Sequence, residues 1–214
     1  MFDPEASKAN KAKLSQERSR LTRRKIVKAA LALWNGRGFE DGFDTTTVDE
    51  IADKAGISRA TVYYYFPKKE DILRDLAWVT AEEIYESAIR SMMSKDSVED
   101  VIEQLMLHLG HKVMKASPAA VSRMMQLRKN NAEDIDRDIG SAGLSKAFSI
   151  VLAHAQEMGD LPRSLSSLET AEILVGVVMG AISKWTALGG DDLPETLRRR
   201  AMFVLAGARH FTAD

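Results

Sequence analysis

The sequence predicts an all-α protein, with an N-terminal three-helix unit built around a helix-turn-helix and a larger helical body behind it. Three observations carry this. Only 5 prolines occur in 214 residues, and no long stretch alternates apolar with polar side chains as a half-buried strand would. Apolar residues recur instead at intervals of three and four. The segments so marked are bounded by helix caps and glycines, not by hairpin signals.

Taken in order, residues 1–16 (MFDPEASKANKAKLSQ) are polar and rich in Ala, Ser and Lys. They read as a flexible arm and lack the apolar run of a signal peptide. A first helix is expected from Glu17 to Asn35, with Ile26, Ala30, Leu33 and Trp34 as its buried stripe and Gly36 and Gly38 as its stop. Phe39 and Phe43 follow as plugs for a small core. A second helix starts at Thr47, where Thr47-x-x-Glu50 forms a capping box, and Val48, Ile51, Ala52 and Ala55 supply its inner face. Gly56 makes the turn, where a positive φ is cheap, and Ser58 caps a short third helix carrying Tyr63, Tyr64 and Tyr65.

Pro67 precedes a fourth helix, which opens at Lys68 and runs through Trp78 and Ile84 to Ser91. Further helices are expected at 97–115, 118–131, 135–158, 166–188 and 194–210. The last three are separated by Gly159-Asp160-Leu161-Pro162 and by Gly189-Gly190-Asp191-Asp192-Leu193-Pro194. This divides the chain into an arm (1–16), a helix-turn-helix domain (17–67) and a helical body (68–214).

Composition narrows the function classes. The chain is 45% apolar and 29% charged and has no cysteine, so neither a disulfide framework nor a thiolate zinc site can form. That fits a reducing cytoplasm. The longest uncharged apolar run, Ile173 to Ser183, is too short to span a bilayer, so no membrane partner is expected. Net charge is −1 but uneven: residues 1–70 hold 14 Lys/Arg against 10 Asp/Glu, whereas 71–214 hold 16 against 21. A basic end that meets an anion and an acidic body that does not are the implication.

Three consecutive tyrosines cannot share one face of a helix. If Val62 and Phe66 (i, i+4) face the core with Ile51, Ala52 and Ile57, then Arg59, Ala60, Tyr63 and Tyr64 point the other way, with Thr61 and Tyr65 on the flanks. Double-stranded DNA suits such a face, because the major groove admits a helix and presents base edges and thymine methyls. Tyrosine and Thr61 offer an apolar surface for a methyl and a hydroxyl for a phosphate oxygen. Arg59 can contact guanine with two donors. Lys69 stands at a helix N-terminus, a position suited to a phosphate. Arg18, Arg20, Arg23 and Arg24 add sequence-independent charge. A helix-turn-helix that is purely structural, in a helical small-molecule-binding protein, is the alternative.

The stretch from Thr45 to Leu73, TTTVDEIADKAGISRATVYYYFPKKEDIL, resembles the DNA-binding segment of the tetracycline-repressor (TetR) family. The Thr-initiated helix, Ile-Ala, Ala-Gly-Ile-Ser, Thr-Val-Tyr-x-x-Phe and Lys-Glu-x-Ile-Leu carry the resemblance, which covers residues 20–70. It implies a homodimeric transcription regulator, usually a repressor, that binds a pseudo-palindromic operator and is released by a small-molecule effector. Carried over by position, Arg59, Ala60 and Tyr64 fall at base contacts, and Thr61, Tyr63, Tyr65 and Lys69 at backbone contacts. The capping residues Thr47 and Ser58 join the candidate set. Tyr65 stands where histidine is frequent, and Lys68 replaces a small polar residue and adds a phosphate contact.

In the body, helix 166–188 is apolar nearly all round, and Gly176 and Gly180 would admit a second backbone. Helix 194–210 carries Leu197, Ala201, Val204, Leu205 and Ala208 on one face. The resemblance places a dimer seam at these two helices. Ten methionines suit an adaptable apolar pocket, for which Trp78, Met106, His108, His111, Met124, Met125 and Trp185 are the candidate lining. His108 and His111 have no acidic or thiol partner at ligand spacing, so no metal is expected. There is no G-x-S-x-G, P-loop or glycine-rich dinucleotide turn, so no enzyme and no cofactor are expected.

Overall fold

The computed structural model describes residues 4–93, 96–129, 139–190 and 192–211, and among these it holds ten helices and no strand. The chain divides into two compact units, Met1–Asp75 and Leu76–Asp214.

In the first unit, α1 (Pro4–Gly36) starts well ahead of Glu17, so the stretch expected as an arm is helical from Pro4. Alanine, lysine and glutamate favour helix, and proline is tolerated in the first turn. Ile26, Ala30 and Trp34 are buried as expected, and Val27 and Ala29 widen the stripe. A short helix not anticipated from the sequence, α2 (Phe39–Thr45), follows from Gly38 at φ 77°. It brings Phe39 and Phe43 against Trp34, with ring centroids 6.0 and 4.8 Å away.

Next come α3 (Val48–Ala55) and α4 (Arg59–Tyr65). The capping box is formed in both directions: the Glu50 amide donates to Thr47 Oγ1 at 3.2 Å, and the Thr47 amide donates to Glu50 Oε2 at 2.8 Å. Gly56 adopts the left-handed conformation (φ 67°, ψ 41°) and closes α3, which turns the chain toward Ser58. Ser58 Oγ then accepts from the Thr61 amide at 3.1 Å. α5 (Lys69–Ser91) begins in the first unit, which ends at Asp75, and continues into the second. Its first turns are tied back by Lys69 and Asp75, as detailed below.

The second unit adds α6 (Val98–Met114), α7 (Pro118–Lys129), α8 (Ile139–Met158), α9 (Ser167–Leu188) and α10 (Leu193–Arg209). Residues 130–131 and 135–138 of the expected helices lie outside the described residues. α6 packs on α10 and α8, and α9 packs on α7, α8 and α10. Gly110 lets α6 and α10 cross closely, since a Cβ there would stand 2.5 Å from Pro194 Cα. Arg209 binds Glu99 at 2.7 Å and pins the end of α10 to α6.

α9 is apolar on both sides, as expected. Leu174, Val178, Ala181 and Trp185 are buried, whereas Ile173, Gly176, Gly180 and Leu188 are exposed. By length and composition it is the one described helix that meets the requirements for crossing a membrane, although its apolar run had looked too short. Its inner face is instead core. For α10 the expectation needs correcting. Leu197, Ala201, Leu205 and Ala208 are buried within their own unit, so that stripe is not a free seam. The uncovered face is the opposite one, with Phe203, Ala206 and Gly207.

Candidate functional site

The recognition helix α4 is held from behind by two fully buried side chains, Val62 and Phe66. This fixes where the others point. Arg59 and Ala60 are exposed, Tyr63 is 42% and Tyr64 81% accessible, and Thr61 and Tyr65 lie half-buried on the flanks. Tyr64 meets Tyr65 edge to face, with centroids 5.1 Å apart, so the outermost ring is steadied by its neighbour. The Arg59 guanidinium stands 5.5 Å over the Tyr63 ring and 3.2 Å from Asp49 of α3. Hydrogen bonding to Tyr63 and the nearby Asp49 carboxylate push its pKa further up, so it is cationic throughout the physiological range. The result is a solvent-facing plane of hydroxyls, rings and one guanidinium on a rigid two-helix frame.

Thr47 and Ser58 are exposed, but their hydroxyls are occupied. Thr47 Oγ1 contacts Glu50 at 3.1 Å, and Ser58 Oγ is 2.7 Å from Thr61 Oγ1. They position the two helices of the motif. Lys69 departs from the expected phosphate role. Its ammonium donates to the main-chain oxygens of Phe43 (2.6 Å), Asp44 (3.1 Å) and Thr46 (3.1 Å) and sits 5.2 Å from the Phe43 ring centroid. All three protons therefore close the C-terminal end of α2, and a phosphate would have to compete with them. Arg23, expected among the free positive charges, instead makes a two-pronged pair with Asp75 (2.8 and 2.7 Å) and lies over Phe66. Lys68 is exposed.

The second unit contains a mostly apolar cavity of about 60 Å³. Leu76, Ala77, Thr80 and Ala81 of α5 form one wall, and Leu109, Lys112 and Val113 of α6 another. Met124 of α7, Leu144 of α8, and Met179 and Ile182 of α9 complete it. Of the seven lining residues expected, only Met124 is there. Met106 and Trp185 are buried core, His111 is exposed, and Trp78, His108 and Met125 are half-buried elsewhere. His108 is held below its ordinary pKa, first by burial and then by Lys112, with Glu83 opposing. Lys112, which sequence reasoning passed over, is the one charged residue among the described residues of the wall, and its ammonium binds Glu83 of α5.

Residues 26–76 match the family described as bacterial regulatory proteins, tetR family. The transcriptional regulator TtgR of Pseudomonas putida is 24% identical over 182 residues, covering 81% of this chain and 84% of that protein. The regulator TtgW of the same organism is 40% identical over 53 residues, covering 25% of this chain and 37% of that one. The TetR-family transcriptional repressor FadR of Thermus thermophilus, solved in complex with lauroyl-CoA, superposes with a TM-score of 0.66 at 25% identity, covering 90% of this chain and 96% of that one. Capped helix-turn-helix, outward tyrosines, helical body and relatives agree: the chain belongs to the TetR family of transcriptional regulators.

Proposed function

We propose that the protein is a cytoplasmic repressor that binds a pseudo-palindromic operator as a homodimer, with α4 in the major groove, and leaves it when a small, largely apolar molecule enters the cavity of the second unit. In this reading Met1–Asp75 is the DNA-binding domain and Leu76–Asp214 the effector and dimerisation domain. The observation that carries it is the orientation of α4: Val62 and Phe66 are sealed behind while Tyr63 and Tyr64 stand outward. Arg59, Ala60 and Tyr64 read bases. Thr61, Tyr63 and Tyr65 hold the sugar-phosphate backbone, while Thr47, Ser58 and Lys69 support it from the frame. Dimerisation through α9 and α10 is supported by their uncovered faces. Release is supported by α5, one uninterrupted helix from Lys69 to Ser91 that also walls the cavity. Coupling of about 1–3 kcal/mol between the two ligands is typical of such linkage.

The test is selection of operator fragments from genomic DNA above excess competitor, followed by anisotropy on the selected site. Tyr64→Ala should alter which bases are preferred, at a cost of about 1–3 kcal/mol on the best sequence. If the protein selects no fragment, the helix-turn-helix is structural and the body alone carries the function.

A further inference from the structure

Among the described residues the cavity wall is apolar except for Thr80, whose hydroxyl donates to Leu76 O at 2.9 Å, and Lys112. The Lys112 side chain is about a quarter exposed, and Glu83, at 14%, is its one ion-pair partner among the described residues. An ammonium has three donors, and one carboxylate oxygen takes one of them. Among the described residues Lys112 lines the cavity and Glu83 does not, so the member of the pair that borders the cavity is the cationic one. The surroundings strengthen that sign. His108, one turn before Lys112, feels Lys112, Arg90 and Lys115 against Glu83 alone, and together with burial they hold it below its ordinary pKa.

We propose that the effector is an amphipathic monoanion, an apolar body bearing one carboxylate, whose head group is taken by Lys112 while its body occupies the space between α5 and α9. This rests on the reading of the cavity as the effector site. A cation would bring like charge beside Lys112 in a medium where charges are weakly screened. A second polar or charged group would find no partner among the other described wall residues, which present hydrocarbon and thioether. The cavity must widen for such a molecule, and Met124 and Met179, unbranched and flexible, can move to allow it. The incoming carboxylate competes with Glu83 for the same ammonium. Binding thereby loosens a tie between α5 and α6.

The experiment is calorimetric titration of the full chain with 4-phenylbutyrate, 4-phenylbutan-1-ol and 4-phenylbutylammonium, which share one body and differ in head group. The acid should bind about tenfold more tightly than the alcohol, the weight of one charge-assisted hydrogen bond, and the ammonium should bind weakest. Lys112→Met should bring the acid down to the alcohol while leaving the alcohol unchanged, and Lys112→Arg should keep the order. An alcohol that binds as well as the acid overturns the anion assignment and leaves the cavity as effector site. Binding by none of the three overturns both. Should Lys112→Met fail to fold, the wild-type order and Lys112→Arg still decide.

Discussion

At the scale of single residues, Lys69 separates two kinds of contribution to DNA binding. A lysine on a phosphate acts through counterion release. A lysine on three carbonyls acts through the shape of the domain that carries α4. Its hydrogen bonds to Phe43, Asp44 and Thr46 put it in the second class. Lys69→Met should destabilise the first unit by about 1–3 kcal/mol, because half-buried carbonyls lose a charged donor. It should weaken binding to all sequences alike and leave the dependence of log K on log salt unchanged. Urea melts and anisotropy at several salt concentrations check this. A slope that falls by about 0.9 returns Lys69 to the phosphate. The sequence could not reveal this role, since the carbonyls lie 23 to 26 positions away and nothing local marks them. Six of the seven expected lining residues lie outside the cavity for a related reason. Methionine type does not distinguish Met106, sealed in the core, from Met124 at the wall; only the packing of five helices does.

At the scale of an element, the N-terminus of α3 was fully legible, because a capping box lies within four residues and reports its own geometry. Gly56 and Ser58 were legible on the same grounds. α2 was not, since seven residues containing a glycine carry too little periodicity to distinguish a helix from a loop. What the sequence did not disclose at α3 is that Arg37, from the turn after α1, pairs with Glu50. This pair and the Thr47 amide lower the Glu50 pKa from 4.5 to about 2. The folded form therefore favours the ionised carboxylate. Its contribution is complete above the unfolded value near 4.5 and is lost as pH falls toward 2. Because the pair is solvent-exposed, the effect is modest. Circular dichroism of acid unfolding should show wild-type stability declining between about pH 4.5 and 2. Glu50→Gln should start lower at neutral pH and flatten that limb. Parallel acid limbs for the two proteins would mean that Glu50 is not a source of the decline.

At the scale of the whole molecule, the exposed face of α9 and α10 needs an occupant. Phe203 is 82% and Leu188 75% accessible, and Ile173 lies on the same stripe of α9 as the two glycines. Among the described residues nothing would come within 4 Å of a Cβ added at Gly176 or Gly180, so their smallness serves no contact with that part of the subunit. Small residues at i and i+4 beside large apolar ones suit close approach of a second pair of helices. A second copy offers the same pair, and two-fold symmetry makes such a face self-complementary. The protein should sediment as a dimer at micromolar concentration. Phe203→Asp, which buries a charge at the seam, should raise the dissociation constant about 100-fold or more, by analogy with central interface residues. Operator binding should fall with it. Two recognition helices held about 34–36 Å apart bind two half-sites as one event, and a lone subunit forfeits the effective concentration of the second, worth about 10²–10⁴ in affinity. Gly180→Leu, which leaves charge unchanged, should act in the same direction by forcing the helices apart. Sedimentation velocity and anisotropy on one sample of each variant link the two effects. If both variants remain dimeric at nanomolar concentration, the partner lies on another face and the exposed stripe of α9 has a different occupant.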